Sequence, residues 1–366
     1  MKKLKITYII NRATQVGGIE RVVSMLSSYF AEQYGYDMTV VSLETEETDD
    51  KGFDYGNKVK IEHLGYSTDE YANRRLLNQR VCKILENEEK KKTDIIITCH
   101  GNIADLVALN KRLFSGKVIF TEHASWEYYT KARKIAQILC YRRAERLVVL
   151  SESAAKIYRR YGLKNVRVIP NAIREIPKFK DSGHEKHELL AIGRLEEVKG
   201  FDNLVCAVDT IKNRLDDWRI VIYGTGSKEE ELKAQIKSFG LEDSVKMAGT
   251  TNEVLKKLHK ASGYLLSSRN EAFPMVVMES LSCGTPVIAY SLPVIEEMNK
   301  KYKVIISVEP RDDYRAFGEA ILRFIGDEKL RKNLSEQSLG LANDYLLPKI
   351  AEKWKALFEE LLEVGQ

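Results

Sequence analysis

Short β-branched runs alternate with amphipathic stretches of helical length along the whole chain. Residues 4–10 read as a strand, 19–33 repeat apolar side chains at helical spacing, and 38–43 return to a strand. Further strands are predicted at 94–99, 117–121, 146–150 and 166–170, with helices near 71–90, 102–114, 126–142 and 151–161. Such alternation makes a parallel sheet with crossover helices, so 1–170 reads as one doubly wound domain. Residues 171–187 (NAIREIPKFKDSGHEKH) lack apolar periodicity and read as a linker. The pattern then restarts, with strands at 188–192, 219–223, 245–248, 263–267, 286–290 and 304–307. Helices are predicted near 200–214, 227–239, 251–260, 275–283, 312–325 and 327–343. A second doubly wound domain over 171–346 is therefore expected, each domain having its ligand edge at the carboxyl ends of its strands. The last segment places Ile350, Trp354, Leu357, Phe358, Leu361 and Leu362 on one helical stripe. That stripe is too apolar for a free tail, so 347–366 is expected to pack on a domain.

The 366 residues carry 58 Lys and Arg against 53 Asp and Glu and are 44% apolar, which is a globular composition. The charge is unevenly spread: residues 169–366 hold 29 basic and 32 acidic side chains, whereas 71–168 alone hold 21 against 9. A basic field of that kind attracts an anion, whether membrane surface, nucleotide or nucleic acid. The acidic stretch 44–50 and the lysines at 90–92 read as solvated charge. No apolar run is long enough to span a bilayer, and the opening turns polar too soon for a signal peptide. A soluble, cytoplasmic protein is expected. Five cysteines, odd in number and far apart, indicate neither a disulfide framework nor a zinc site.

One basic segment is also aromatic. Between 126 and 146, Trp126, Tyr128, Tyr129 and Tyr141 are interleaved with Lys131, Arg133, Lys134, Arg142, Arg143 and Arg146. This suits the headgroup layer of an anionic membrane, at whose inner face the protein would sit peripherally. The competing reading is an ordinary helix that buries Ile135, Ile138 and Leu139 while its charges face water.

Candidate chemistry gathers after predicted strands. Gly17 and Gly18, in NRATQVGGIER, precede a helix whose free N–H groups can hold a phosphate or a sugar hydroxyl; a plain helix-entry turn is the alternative. The turn at 223–229 (YGTGSKE), with Gly224, imitates a dinucleotide fingerprint but puts Glu229 at the third glycine position. A carboxylate there would repel a pyrophosphate, which leaves a tight strand-to-helix turn. In IGRLEEVKGF, Arg194 and Lys199 can both reach one diphosphate. In SSRNEAFPMVVMESLSCGTPVIA, Glu271 lies in a loop, Pro274 sits where a helix can start, and Glu279 lies one turn beyond Met275. Such carboxylates accept bonds from vicinal hydroxyls, although a capped helix with a favourably placed charge explains the same residues locally.

The Glu271…Glu279 pair, the GRLEEVKG loop and the GGIER loop together resemble the retaining glycosyltransferases of family 4. The resemblance covers essentially the whole chain. It implies the GT-B fold, an α/β architecture of two facing Rossmann-like domains whose C-terminal helix crosses back to the first domain. The first domain would then serve the acceptor and the second the nucleotide-sugar donor. By the same resemblance, Arg194 and Lys199 hold the donor diphosphate. Glu271 binds the transferred sugar with backbone N–H groups of Phe273, Met275 and Val276, and Glu279 grips the ribose. Gly17, Gly18 and Gly224 line the donor, His123 lies beside the anomeric region, and Glu20 and His100 are acceptor-side residues. In one place the pattern departs from many members: residues 290–297 read YSLPVIEE, which leaves the identity of the donor open.

The expected activity is metal-independent, retaining transfer of a sugar from a UDP-sugar to a hydroxyl of a glycan, lipid-linked or free. No cofactor and no nucleic-acid partner are expected. An epimerase or phosphorylase of the same fold and a non-catalytic glycan-binding relative remain as alternatives; the glutamate spacing favours transfer over the former, and Glu271, Arg194 and Lys199 argue against the latter.

Overall fold

The computed structural model describes residues 3–15, 17–44, 52–179 and 186–363. Beyond Glu44, the acidic stretch 44–50 lies outside them, as do 180–185 of the 171–187 linker. The chain divides into two compact units, one of residues 1–172 with 347–366 and the other of residues 173–346.

The first unit runs β1 (Lys5–Ile10), α1 (Gly18–Gln33), β2 (Asp37–Glu44), β3 (Val59–Tyr66), α2 (Thr68–Ala72), α3 (Arg74–Lys91), β4 (Ile95–Thr98), α4 (Gly101–Asn110), β5 (Lys117–Glu122), α5 (Lys131–Tyr141), β6 (Arg146–Val149), α6 (Glu152–Arg160) and β7 (Val166–Val168). Its seven strands lie in the order β3-β2-β1-β4-β5-β6-β7, and every pairing is parallel. All four residues of β4 are buried, as are five of the six in β1 and in β5, because helices cover both faces of a parallel sheet.

The second unit contains β8 (Lys186–Ile192), α7 (Phe201–Ile211), β9 (Arg219–Tyr223), α8 (Glu229–Ser238), β10 (Val245–Met247), α9 (Val254–Lys260), β11 (Ala261–Leu266), α10 (Met275–Ser282), β12 (Val287–Tyr290), α11 (Pro293–Asn299), β13 (Ile305–Val308), α12 (Tyr314–Gly326) and α13 (Glu328–Asn343). Its sheet is parallel in the order β10-β9-β8-β11-β12-β13. In both sheets the order reverses once, between β1 and β4 and between β8 and β11. The strands on either side of such a reversal send their crossovers to opposite faces and leave a crevice at their carboxyl ends, where ligands bind in open α/β sheets.

The chain ends in α14 (Leu347–Glu363), which belongs to the first unit. Leu347, Ile350, Trp354, Leu357, Phe358 and Leu361 enter the core beside Val22, Leu26 and Phe30 of α1. The rings of Phe30 and Phe358 lie 5.3 Å apart, and Glu360 accepts from Arg167 at 2.6 Å and also from Arg146.

The elements depart from the sequence reading in several places. Edge strand β3 was not anticipated, because its side chains beyond Val59 are half-buried or exposed and its charges mask the alternation. The helix predicted at 126–142 splits into a 3-10 turn, Trp126–Tyr128, and α5, whose start is fixed by the Thr130 hydroxyl accepting from the Arg133 amide. The stretch 290–297 contains α11, with Pro293 in its first turn. At the head of the linker, Asn171, Ala172 and Ile173 are buried, and Ile173 donates to the Tyr345 carbonyl at 3.0 Å.

Candidate active site

In the second unit the reversal between β8 and β11 is flanked by the loop after β8, with Arg194 and Lys199, and the loop after β11, with Glu271. Gly200 takes a left-handed φ of 63°, and a Cβ there would stand 2.2 Å from the Ser267 carbonyl; only glycine lets the two loops approach so closely. Across that contact the Lys199 ammonium donates to Glu271 Oε1 at 2.7 Å, and the Ser268 hydroxyl donates to the same oxygen at 2.7 Å. The Ser267 hydroxyl completes the junction by donating to the Lys199 carbonyl at 2.9 Å. The pair is largely buried, Lys199 being 25% and Glu271 10% exposed, so its charges are less screened than those of a surface pair. The Arg194 guanidinium is exposed and stands outside this pair.

A second tie lies beneath the first. Arg269 grips Asp202 of α7 with both terminal nitrogens, at 2.8 and 2.6 Å, and donates to the Glu197 carbonyl at 2.5 Å, while its own amide donates to the Val198 carbonyl at 2.8 Å. The guanidinium holds the Asp202 carboxyl below its ordinary range, against the opposing effect of burial. Neither Arg269 nor Ser268 was singled out from the sequence. The partners of Arg269 lie up to 72 residues away, so no local pattern signals it, whereas Ser268 meets Glu271 three residues on, within one loop.

After Glu271 the chain passes buried Phe273, whose ring lies 5.7 Å from Tyr345, and enters α10 behind Pro274, which offers no side-chain cap. The first bond within this turn runs from the Val277 amide to the Pro274 carbonyl at 3.1 Å, so the amides of Met275 and Val276 precede the helix ladder. Glu279 follows on the second turn, 4% exposed. Gly224 has a packing role: at φ 146° its Cβ would fall 1.8 Å from the Gly193 carbonyl, so it seats the β9 loop against the β8 loop.

In the first unit the reversal lies between β1 and β4. Gly17 caps α1 without a side-chain bond, Gly18 is exposed, and Glu20 in the first turn is 3% exposed. A Cβ on Gly17 would meet Glu20 Oε2 at 2.3 Å. His100, at the start of α4, has Nε2 3.9 Å from Glu20 Oε1, and its buried Nδ1 has no hydrogen-bond partner among the described residues. His123, just past β5, places Nε2 3.0 Å from the Thr121 hydroxyl.

Burial raises the Glu20 carboxyl, lowers His100 to about 4 and, with a smaller contribution from His100, lowers His123 to about 3. Both imidazoles are therefore neutral near pH 7, each able to donate one hydrogen bond and accept another. Tyr8, whose buried hydroxyl has no partner among the described residues, and Cys99, whose thiol burial pushes up to about 12, border the same place. Their apolar-looking strand context hid them in the sequence.

Residues 172–339 match the family described as "Glycosyl transferases group 1", and residues 16–175 match "Glycosyltransferase Family 4". The amylovoran biosynthesis glycosyltransferase AmsD of Erwinia amylovora is 26% identical over 366 residues, covering 96% of this chain and 98% of its own. A Campylobacter jejuni α-1,4-N-acetyl-D-galactosaminyltransferase, whose name specifies a GalNAc-bearing diNAcBac-PP-undecaprenol, is 25% identical over 98% of this chain and 99% of its own. Among solved structures, sucrose-phosphate synthase of Thermosynechococcus elongatus superposes with a TM-score of 0.85 at 18% identity, covering 99% of this chain and 100% of its own. HepE of Anabaena, in complex with UDP and glucose, superposes at 0.81 and 14% identity, covering 98% and 100%. Two parallel sheets, each with its own crevice, and these matches define a GT-B glycosyltransferase. The chain belongs to glycosyltransferase family 4, and its enzymatic class is sugar transfer in polysaccharide or glycan synthesis.

Proposed function

We propose that the enzyme is a retaining, metal-independent transferase that uses a UDP-sugar and glycosylates a hydroxyl of a lipid-linked glycan. The observation that carries this reading is the Lys199–Glu271–Ser268 junction at the strand reversal of the second sheet, beside the uncapped start of α10. Without donor, each charge of the pair neutralises the other. A diphosphate arriving beside Lys199 takes over part of its charge, since an ammonium has three donors, and Glu271 is released to accept from sugar hydroxyls.

As the bond from the anomeric carbon to the diphosphate oxygen breaks, negative charge builds on that oxygen. Lys199 and Arg194 stabilise it more in the transition state than in the ground state. The acceptor oxygen forms the new bond on the same face and passes its proton to the leaving phosphate. The Met275 and Val276 amides receive donor oxygens at the positive end of α10, and Glu279 receives the ribose. Neutral His100 with Glu20 serves the acceptor side and neutral His123 lies beside the anomeric region, each imidazole meeting hydroxyls without a fixed charge. UDP is supported by the bound nucleotide of HepE, and a lipid-linked acceptor by the name of the Campylobacter relative. Such an acceptor places the enzyme peripherally at an anionic membrane surface.

The test begins with thermal shifts across nucleotide sugars, where a donor at 100 times its dissociation constant adds about 2.7 kcal/mol. Transfer with that donor should yield a product of unchanged anomeric configuration by NMR. Activity should survive chelator, and Lys199→Ala should lower kcat by about 10² or more. An inverted product, or activity abolished by chelation and restored by divalent ions, contradicts the reading.

A further inference from the structure

Helix α5 leaves part of its apolar surface uncovered. Ile138 and Tyr141 are buried at 7% and 1%, but Ile135 is 65% and Leu139 51% exposed. The sequence alternative in which all three aliphatic residues are buried therefore holds for Ile138 alone. Tyr129 and Tyr141 likewise turn inward, where both hydroxyls donate to the buried Glu122.

Lys131, Ile135, Leu139 and Arg142 follow one another at helical spacing, which sets the exposed pair between two cations on one stripe. This stripe is one wall of an open groove of about 510 Å³ whose other wall carries Trp126 and Tyr161. Lys134 stands over the Trp126 ring at 5.3 Å, and Arg142 donates to the Tyr161 carbonyl at 3.0 Å. The lining residues include three cations and no carboxylate. Arg133 points elsewhere, to buried Asp105, so its charge is spent inside the fold.

An exposed aliphatic pair framed by cations and bordered by two aromatic rings matches the layered chemistry of a lipid surface. Acyl chains lie beneath a plane of phosphates, and aromatic rings sit between them. No described helix is long and apolar enough to cross a membrane, so contact through such a patch is superficial. A protein partner would need an apolar knob inside an acidic ring; a bilayer offers both layers over any area and satisfies the patch without a shaped counterpart.

We infer that the α5 groove is the surface by which this enzyme docks on an anionic bilayer, with Ile135 and Leu139 entering the headgroup layer and Lys131, Lys134 and Arg142 engaging lipid phosphates. The inference deepens the lipid-linked acceptor reading and rests on it for the purpose of docking, but not for its existence.

The experiment is flotation of the full-length protein with acceptor-free vesicles of phosphatidylcholine alone or with 30–40% (about one third) phosphatidylglycerol. Binding to the anionic vesicles at least tenfold tighter and reversed by salt is expected. Ile135→Ser with Leu139→Ser, and separately Lys131→Glu with Lys134→Glu, should each weaken it about tenfold or more. All four side chains lie outside the core, and an unchanged melting temperature verifies folding. Transfer to a soluble acceptor fragment, measured alongside, should be unaffected; its loss in every form of the protein would refute the transferase reading and leave the docking result standing. Equal binding to both vesicles, no binding, or binding indifferent to both double variants overturns the inference. So does a solution dimer that these variants dissociate, which would assign the groove to a second copy of the chain.

Discussion

Two glutamates with the same chemistry stand in different surroundings, and their substitutions should separate. Glu271 already shares one oxygen with Lys199 and Ser268, at the place where the transferred sugar is assigned, whereas Glu279 is buried one turn inside α10. Glu271→Gln should mainly lower kcat, and Glu279→Gln should mainly raise the KM for donor. Equal effects of the two on UDP affinity by calorimetry would contradict the assignment. The two neutral histidines give a pH signature. The unfolded chain protonates them near their ordinary 6.5, the folded chain only at about 4 for His100 and 3 for His123. The unfolded state therefore binds more protons in that window, so stability is complete above pH 6.5 and is lost as the pH falls toward 4. Glu20, raised by burial, acts with the opposite sign above its ordinary 4.5. The informative measurement is thus a difference: His123→Gln should flatten the fall of the urea midpoint between pH 6.5 and 4 relative to the parent. An unchanged slope would exclude this imidazole as its source.

At the scale of elements, a loop is only as well placed as its ties. The 3-10 turn Glu197–Lys199 carries the ammonium, and Arg269 fastens that turn and the start of α7 to the loop that carries Glu271. Arg269 is thus a positioning residue. Arg269→Ala should lower kcat about tenfold with a smaller change in donor KM, and Asp202→Ala should cost little more in the doubly substituted protein, since the two act through one fork. Arg269→Lys keeps the charge but not the bidentate grip, so it should restore only part of the rate. Additive losses would exclude the shared tie.

The same contrast explains what was legible in the sequence. Most buried strands, the helices of the second unit other than α11 and the candidacy of Lys199, Glu271 and Glu279 follow from local periodicity and motif. The Arg269–Asp202 fork and edge strand β3 do not, because a pairing across 67 residues is decided by sheet order, and a half-exposed edge has little apolar alternation to display. Splitting the 126–142 prediction into a turn and α5 depended on one threonine cap, a signal weaker than the amphipathic stripe that ran past it.

On the scale of the whole molecule, α14 is a structural component of the first unit. Ile350 is fully buried against that core, so Ile350→Ala should cost about 2–5 kcal/mol. Amide exchange should rise in α1, β1 and β2 while β8, β9 and β11 keep their protection; a uniform rise across both sheets would show that the two units unfold together. The path of the chain has a further consequence at birth. The second unit is complete at residue 346, whereas the core of the first waits for side chains between 347 and 361. The first unit starts ahead of the second along the chain but is completed after it. Until residues 347–361 leave the ribosome a nascent chain carries an uncovered α1 face, and a stop codon ahead of them removes part of the first unit's core.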